Sequence, residues 1–251
     1  MTAPMGVVIP TLDTPEPLAR VLAELHDWEH RFGRTLLVYV VDDGSQVPLQ
    51  LGSPRPAQTR LLRHADNRGY GGAQKTGFAA ALARDCAVIV LLHGDGQYDT
   101  DGTLGLGLHL ERTGADAVLG SRFLPGHTSA VPAWRAWGNR GLTSLANLRF
   151  GARLSELHTG ARAYLGRRLT ALPFDRYSDN YVFDHEVLAA LLHSGGRIEE
   201  APVAVRYDDT VRSIPPLRAV RYGLGCLRTL LLPPPAAAPT QSPRRGATRS
   251  S

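Results

Sequence analysis

The sequence predicts an α/β protein built on a doubly wound, mostly parallel sheet flanked by helices, and three observations lead there. Apolar runs of strand length alternate with helix-patterned segments along the first half of the chain. The run Ala87–Leu92 is continuously apolar and rich in β-branched residues, as a strand buried on both faces requires. Three runs end abruptly in polar, mostly glycine-bearing turns: Pro10-Thr11-Leu12-Asp13, Asp42-Asp43-Gly44-Ser45 and His93-Gly94-Asp95-Gly96-Gln97. In an open sheet of this kind, ligands bind beyond the carboxyl ends of the strands.

In chain order, Met5–Pro10 is the first strand. Residues 15–30 follow as a helix, with Leu18, Val21, Leu22 and Leu25 at helical spacing and prolines confined to the entry turn. Thr35–Val41 is a second strand, the Gly/Pro-rich stretch to Ala57 a loop, Thr59–Leu62 a third strand and Gly72–Arg84 an alanine-rich helix. Beyond the Ala87–Leu92 strand the pattern changes after Gly120. Residues 121–132 read as loop, 133–150 as a helix bearing Trp134 and Trp137, Asp184–Leu192 as a helix, and Arg197–Arg206 as a strand pair or one bent strand. Arg218–Leu232 mixes Leu, Tyr and Arg. The Pro/Ala/Arg-rich residues 233–251 cannot bury enough apolar surface to fold and are expected to be disordered.

At 251 residues and 43% hydrophobic content the chain can bury a full core. Cys86 and Cys226 lie far apart without metal-ligand spacing, which suits reduced thiols and a cytoplasmic location. The start lacks the basic and long apolar regions of a signal peptide, and no stretch approaches the roughly 18 apolar residues of a membrane span. Charge is blocked along the chain: net −4 over residues 1–121, +7 over 122–168, −4 over 169–205 and +6 over 206–251, within an overall +5. The block at 122–168 with its tryptophans, together with the Leu/Arg segment at 218–232, suits an anionic membrane surface, predicting a peripheral protein at the inner face of the plasma membrane. No nucleic-acid partner is expected, and the oligomeric state stays open.

The strand ends carry the chemistry. Asp95 and Gln97, two residues apart with glycines between and before them, can reach one hard cation together. Mg²⁺ or Mn²⁺ held by few protein ligands takes the rest from water and phosphate oxygens. The turn Gly69-Tyr70-Gly71 starts a dinucleotide-like pattern, but its sixth position is Gln74 and it follows the third strand, so a NAD site is not expected.

The ordered motifs VVIPT (7–11), VVDDGS (40–45), NRGYGGA (67–73), HGDGQYD (93–99), GSRF (120–123), HTGARAY (158–164) and APVAVRY (201–207) resemble family-two glycosyltransferases of the GT-A nucleotide-diphospho-sugar transferase fold. The likeness is greatest to the polyprenyl-phosphate (dolichyl-phosphate) hexosyltransferase branch. It covers roughly residues 5–210, which implies a GT-A catalytic domain over 1–210, an amphipathic helical segment over 211–232 and the tail beyond. The resemblance implies a nucleotide-sugar site of Pro10, Thr11, Asp13, Asp42, Asp43, Asn67, Arg68 and Asp95. It implies a Mg²⁺ or Mn²⁺ site of Asp95 and Gln97, and an acceptor-phosphate site of Arg122, Arg135, Asn139 and Arg162. Asp95, Arg122 and Asp184 are its catalytic candidates. Arg135 and Asn139, four apart in a helix, share a face.

Departures from the family pattern matter. His93 stands where the family's D-x-D has its first acid, so the metal site either loses a charge or takes imidazole as a weak ligand. Leu12 and Thr14 replace an aromatic and a glutamate, and Ala161 replaces the aromatic before the arginine of the later motif. The activity implied is inverting transfer of a hexose to a polyprenyl phosphate, whose anionic oxygen makes a general base dispensable. A hydroxyl acceptor would call on Asp184 or Glu186 instead. The alternatives are a soluble or cell-wall glycan acceptor with the same donor chemistry, and a degenerate nucleotide-sugar-binding partner.

Overall fold

The computed structural model describes residues 4–124, 133–206, 216–232 and 234; the side chains of 133–136 and 216–220 lie outside that description. The expected disordered tail, apart from Pro234, also falls outside it.

Helix-covered strands need apolar residues on both faces, and the first two strands satisfy this completely. In β1 (Met5–Thr11) and β2 (Leu36–Asp42) every residue is buried. A seven-stranded sheet forms in the order β3-β2-β1-β4-β6-β5-β7, with β3 at Thr59–Arg63, β4 at Val88–Leu91, β5 at Ala117–Ser121, β6 at Arg162–Leu165 and β7 at Ile198–Pro202. All neighbours pair in parallel except β6, which runs against both β4 and β5. The mostly parallel sheet expected from the sequence is therefore present with one reversed strand.

Alternation along the strands divides the core into two layers. Val7 and Ile9 of β1 join Leu18, Val21, Leu22, Leu25 and Trp28 of α1 (Pro15–Phe32) and Leu104, Leu106 and Leu110 of α3 (Thr100–Thr113). Val8 faces the other way, toward Phe78 and Ala81 of α2 (Tyr70–Leu82) and Phe183, Val187, Leu188 and Leu191 of a later helix, Phe183–His193. Helix α1 ends at Gly33, whose left-handed φ of 59° lets its N–H reach the Glu29 carbonyl.

α3, β5 and β6 are elements the sequence did not signal. Residues 100–113 contain Gly102, Gly105 and Gly107 among alternating leucines, which blurs a helical period. Asp99 nonetheless caps the helix by accepting from the Gly102 N–H at 2.7 Å. Gly107 lets it lie close to the sheet, since a Cβ there would meet Met5 and Val90 at 2.7 and 2.8 Å. The strands β5 and β6 are only five and four residues long and owe their conformation to their neighbours. Between them lies α4 (Ala133–Phe150), and α5 (Gly166–Thr170), α6 (Phe183–His193) and α7 (Pro216–Leu231) come later in the chain. The stretch Arg197–Arg206 holds one strand and an isolated bridge: β7 stops at Pro202, and Val205 then bridges antiparallel to Tyr98.

Candidate functional site

Because β1, β2, β4 and β5 are parallel, their carboxyl ends lie along one rim. β6 runs the other way and so begins at that rim, Arg162 being in register with Leu91. Thr11, Asp42-Asp43, His93–Gln97, Ser121-Arg122 and Arg162 are thereby gathered from five segments spread over 150 residues of sequence.

The turn after β4 is partly open. His93, Asp95 and Gln97 are half-exposed, alternating with buried Gly94, Gly96 and Tyr98. Asp95 Oδ1 accepts the Gln97 backbone N–H at 3.1 Å, and Oδ2 takes no hydrogen bond among the described residues. The loop is held from beneath: the Asp99 N–H donates to Ala204 O at 3.0 Å and the Arg206 N–H to Gln97 O at 2.7 Å. Among the described residues no three His, Cys, Asp or Glu side chains converge on a common metal position. A carboxylate with an unpartnered oxygen beside an amide fits a hard divalent cation whose other ligands are phosphate and water.

The paired aspartates after β2 have their oxygens taken by protein. Asp42, 0% exposed, accepts from the Ser45 and Leu49 N–H groups at 2.9 and 3.4 Å and from Arg63. Burial alone would raise its carboxyl pKa, yet these donors win and hold it below the usual carboxylate range. Asp43 accepts the N–H groups of Arg68 and Gly69, each at 2.9 Å, and pairs with His64 Nδ1 at 2.6 Å. Both side chains therefore shape the loops of the nucleotide-sugar site expected from the sequence. Thr11, Asp13, Asn67 and Arg68 stand beside them. Asp13, at a left-handed φ of 52°, accepts the Gln46 N–H at 2.8 Å, Asn67 accepts the Gly69 N–H at 2.9 Å, and Arg68 is exposed.

The glycine-rich turn into α2 is a packing device. The Gly71 and Gly72 N–H groups both donate to Asp179 O, at 2.8 and 3.2 Å. A Cβ at Gly71 would sit 2.6 Å from Ser178 O, and Gly69 adopts a φ of 91° that favours glycine. The helix terminus is closed by chain.

Arg122, expected at a phosphate, lies in a buried ion pair. Its Nε donates to Glu156 at 2.9 and 3.2 Å, its backbone N–H donates to the same carboxylate at 2.8 Å, and its Nη2 also contacts it. Asn139 Nδ2 donates to Glu156 Oε1 at 2.8 Å, so Glu156 joins two residues the sequence assigned to the acceptor. Glu156 is 0% exposed and was not anticipated, although it is the only acid among residues 122–168. The Arg135 side chain lies outside the described residues.

Arg162 departs from its expected place at the acceptor phosphate. It is 1% exposed, and its guanidinium donates to the carbonyls of Thr159, Asp184 and Leu157 at 2.7, 2.8 and 3.2 Å. The side chain thus braces the start of β6 against α6 beneath the rim. Its Nη2 lies 3.6 Å from Asp184 Oδ2. Asp184, 6% exposed, also accepts from Gln74 Nε2 at 2.8 Å and the Tyr70 hydroxyl at 3.1 Å, and Tyr70 in turn contacts His93 Nε2 at 2.8 Å. Burial, then the Asp184 charge, pushes the Tyr70 phenol well above its ordinary pKa, so it stays protonated. Tyr70 and Gln74 are further members of this network that sequence reasoning missed.

Residues 6–167 match the family model described as glycosyl transferase family 2. The polyprenol monophosphomannose synthase of Mycolicibacterium smegmatis is 28% identical over 207 residues, covering 78% of this chain and 75% of that protein. The undecaprenyl-phosphate mannosyltransferase of Micrococcus luteus is 30% identical over 206 residues, covering 78% and 81%. Among solved structures, glucosyl-3-phosphoglycerate synthase from Mycobacterium tuberculosis, in complex with Mn²⁺, uridine diphosphate and glucosyl-3-phosphoglycerate, superposes with a TM-score of 0.64 over 91% of this chain and 79% of that one. At 17% identity it shows a shared GT-A-like fold.

Proposed function

The chain belongs to glycosyl transferase family 2, and we propose that it moves a hexose, with inversion, from a nucleotide-diphosphate sugar to a polyprenyl phosphate. The observation that carries this reading is the open carboxylate oxygen of Asp95 beside Gln97 at the rim. The names of the mycobacterial and micrococcal relatives favour a lipid-phosphate acceptor over a glycan.

Asp95 and Gln97 would hold Mg²⁺ or Mn²⁺, which when bound neutralises the charge that develops on the departing nucleoside diphosphate. Thr11, Asp13, Asn67 and Arg68 border the donor's nucleoside side, on loops fixed by the buried Asp42 and Asp43. Arg122 keeps a fixed position through Glu156 and needs no large rearrangement to present positive charge along the rim. The acceptor phosphate is anionic near neutral pH, so its oxygen attacks the anomeric carbon without a dedicated base. Asp184, buried against Arg162 and Gln74, then serves to position neighbours.

The described part of the chain also offers a surface for a lipid acceptor. Trp137 and Leu148 of α4 are 73% and 84% exposed, and Leu224 and Leu231 of α7 63% and 70%. Exposed Arg140, Arg149, Arg221 and Arg228 lie on the same two helices. Apolar side chains among arginines suit an anionic lipid surface. No described helix is long and apolar enough to cross a membrane.

The test is transfer from labelled nucleotide hexoses, with Mn²⁺ or Mg²⁺, to polyprenyl phosphate or glycan fragments. Label extracted into organic solvent, reduced by about 10²–10³-fold in Asp95→Ala, is expected. Label confined to glycan would select the alternative acceptor, and undiminished transfer by Asp95→Ala would remove the site.

A further inference from the structure

His93 occupies a place where an acidic side chain would bring negative charge, and its surroundings decide which of its nitrogens can act. Tyr70 has a single hydroxyl proton and two polar neighbours, Asp184 Oδ2 at 3.1 Å and His93 Nε2 at 2.8 Å. The Asp184 carboxylate, facing Arg162 and the Gln74 amide, can only accept, so the phenol proton belongs to it. The phenol oxygen must then accept from His93, which places the imidazole proton on Nε2. The opposite arrangement sets a carboxylate oxygen against a phenol oxygen with no proton between them. One tautomer alone turns both contacts into hydrogen bonds.

The ring is clamped in that orientation. Tyr70 and Tyr98 meet it edge-on, with centroids 5.4 and 5.3 Å away, and a Cβ at Gly160 would overlap its Cε1–Nε2 edge. Nε2 is therefore committed inward. In the neutral ring Nδ1 keeps its lone pair; it has no hydrogen-bond partner among the described residues and is not sealed from solvent. His93, Asp95 and Gln97 are the half-exposed members of one alternating stretch. A ligand histidine generally gives its other N–H to an oriented acceptor that is itself anchored to a carboxylate or carbonyl. Here Tyr70 is that acceptor and Asp184 its anchor.

We infer that His93 Nδ1 is a nitrogen ligand to the divalent cation of this site, set in the required tautomer by the Asp184–Tyr70 relay. The inference rests on the reading of Asp95 as a cation ligand. It adds a neutral imidazole to a carboxylate and an amide, which moves selectivity from Mg²⁺ toward nitrogen-accepting ions such as Co²⁺. Tyr70 is a positioning residue that acts through His93.

Electron spin-echo modulation of the full chain loaded with Mn²⁺ and uridine diphosphate tests this without relying on turnover. Imidazole modulation is expected in the wild type, altered when histidine is ¹⁵N-labelled and absent in His93→Gln. Tyr70→Phe should retain the fold by circular dichroism and bind Mn²⁺ about 10–100-fold more weakly. His93→Asp should shift the Co²⁺-to-Mg²⁺ affinity ratio at least about tenfold toward Mg²⁺. Bound Mn²⁺ without histidine modulation in the wild type would overturn the inference and leave Asp95 as a ligand. Failure to bind Mn²⁺, with or without the nucleotide, would overturn both.

Discussion

Removing Arg122 should destabilise the fold through the partner it leaves behind. Glu156 is fully buried and Arg122 only 17% exposed at the side chain, and the guanidinium contacts the carboxylate through both Nε and Nη2. In Arg122→Ala the carboxylate retains, among the described residues, the residue-122 backbone N–H and Asn139, at 2.8 Å each. Breaking a buried pair from one side costs about 3–5 kcal/mol, or a melting temperature lower by roughly 6–20 °C for a chain of this size. Glu156→Gln preserves shape while removing charge, and should cost about 1.5–3 kcal/mol as charged hydrogen bonds become neutral ones. The double variant leaves no unpaired charge. It should therefore be more stable than the sum of the singles implies, by about 1.5–3 kcal/mol. Urea unfolding followed by circular dichroism, with unchanged m-values, measures all four corners of the cycle. Additivity within about 0.5 kcal/mol would refute the claim that Glu156 fixes Arg122.

Three further outcomes follow from the same geometry. The Asp42 carboxyl, held below its ordinary pKa, contributes stability that is present above the unfolded value near ~3.9 and is lost as pH falls through the folded one. Asp42→Asn should therefore cost about 1–3 kcal/mol near neutrality and much less near pH 2, as read by urea midpoints; equal costs at both would contradict this. Burial, then the charge of His185 on His158 and of Arg162 on both, pushes His158 and His185 down to about 3. They stay neutral in the fold, while the unfolded chain takes up protons below ~6.5, so stability is full above that pH and declines beneath it. Melting temperature should fall from pH 7 to 5, and a His158→Gln/His185→Gln double variant should flatten that slope. Finally, the protein should float with anionic but not neutral vesicles, and Trp137→Glu with Leu231→Glu should abolish flotation; unaltered flotation would place the lipid surface elsewhere.

The layered sheet was legible because β1, β2 and β4 are continuous apolar runs ending in polar turns, a pattern imposed by helices on both faces. β5 and β6 were not legible. At five and four residues they lack an intrinsic pattern and take their form from pairing. At the candidate site, the sequence put the Asp95 carboxylate and the Gln97 amide on one tight turn, and the fold leaves their side chains half-exposed. Arg162 was not readable in the same way. A motif shows that an arginine is present, but only the fold reveals that its donors meet carbonyls 157, 159 and 184. Glu156 could have been suspected as the lone acid in a basic block. The Tyr70–His93 and Tyr70–Asp184 contacts join residues 23 and 114 positions apart and needed the structure.

The central claim is that the rim beyond β4 receives the diphosphate of an activated sugar through a cation held by Asp95. A crystal soaked with Mn²⁺ and a nucleotide hexose, examined by anomalous diffraction, tests it most directly. The account predicts a manganese peak bridging Asp95 and the donor's phosphates, with Gln97 alongside. A peak elsewhere, or a diphosphate bound at the rim with Asp95 facing away from it, would contradict the account.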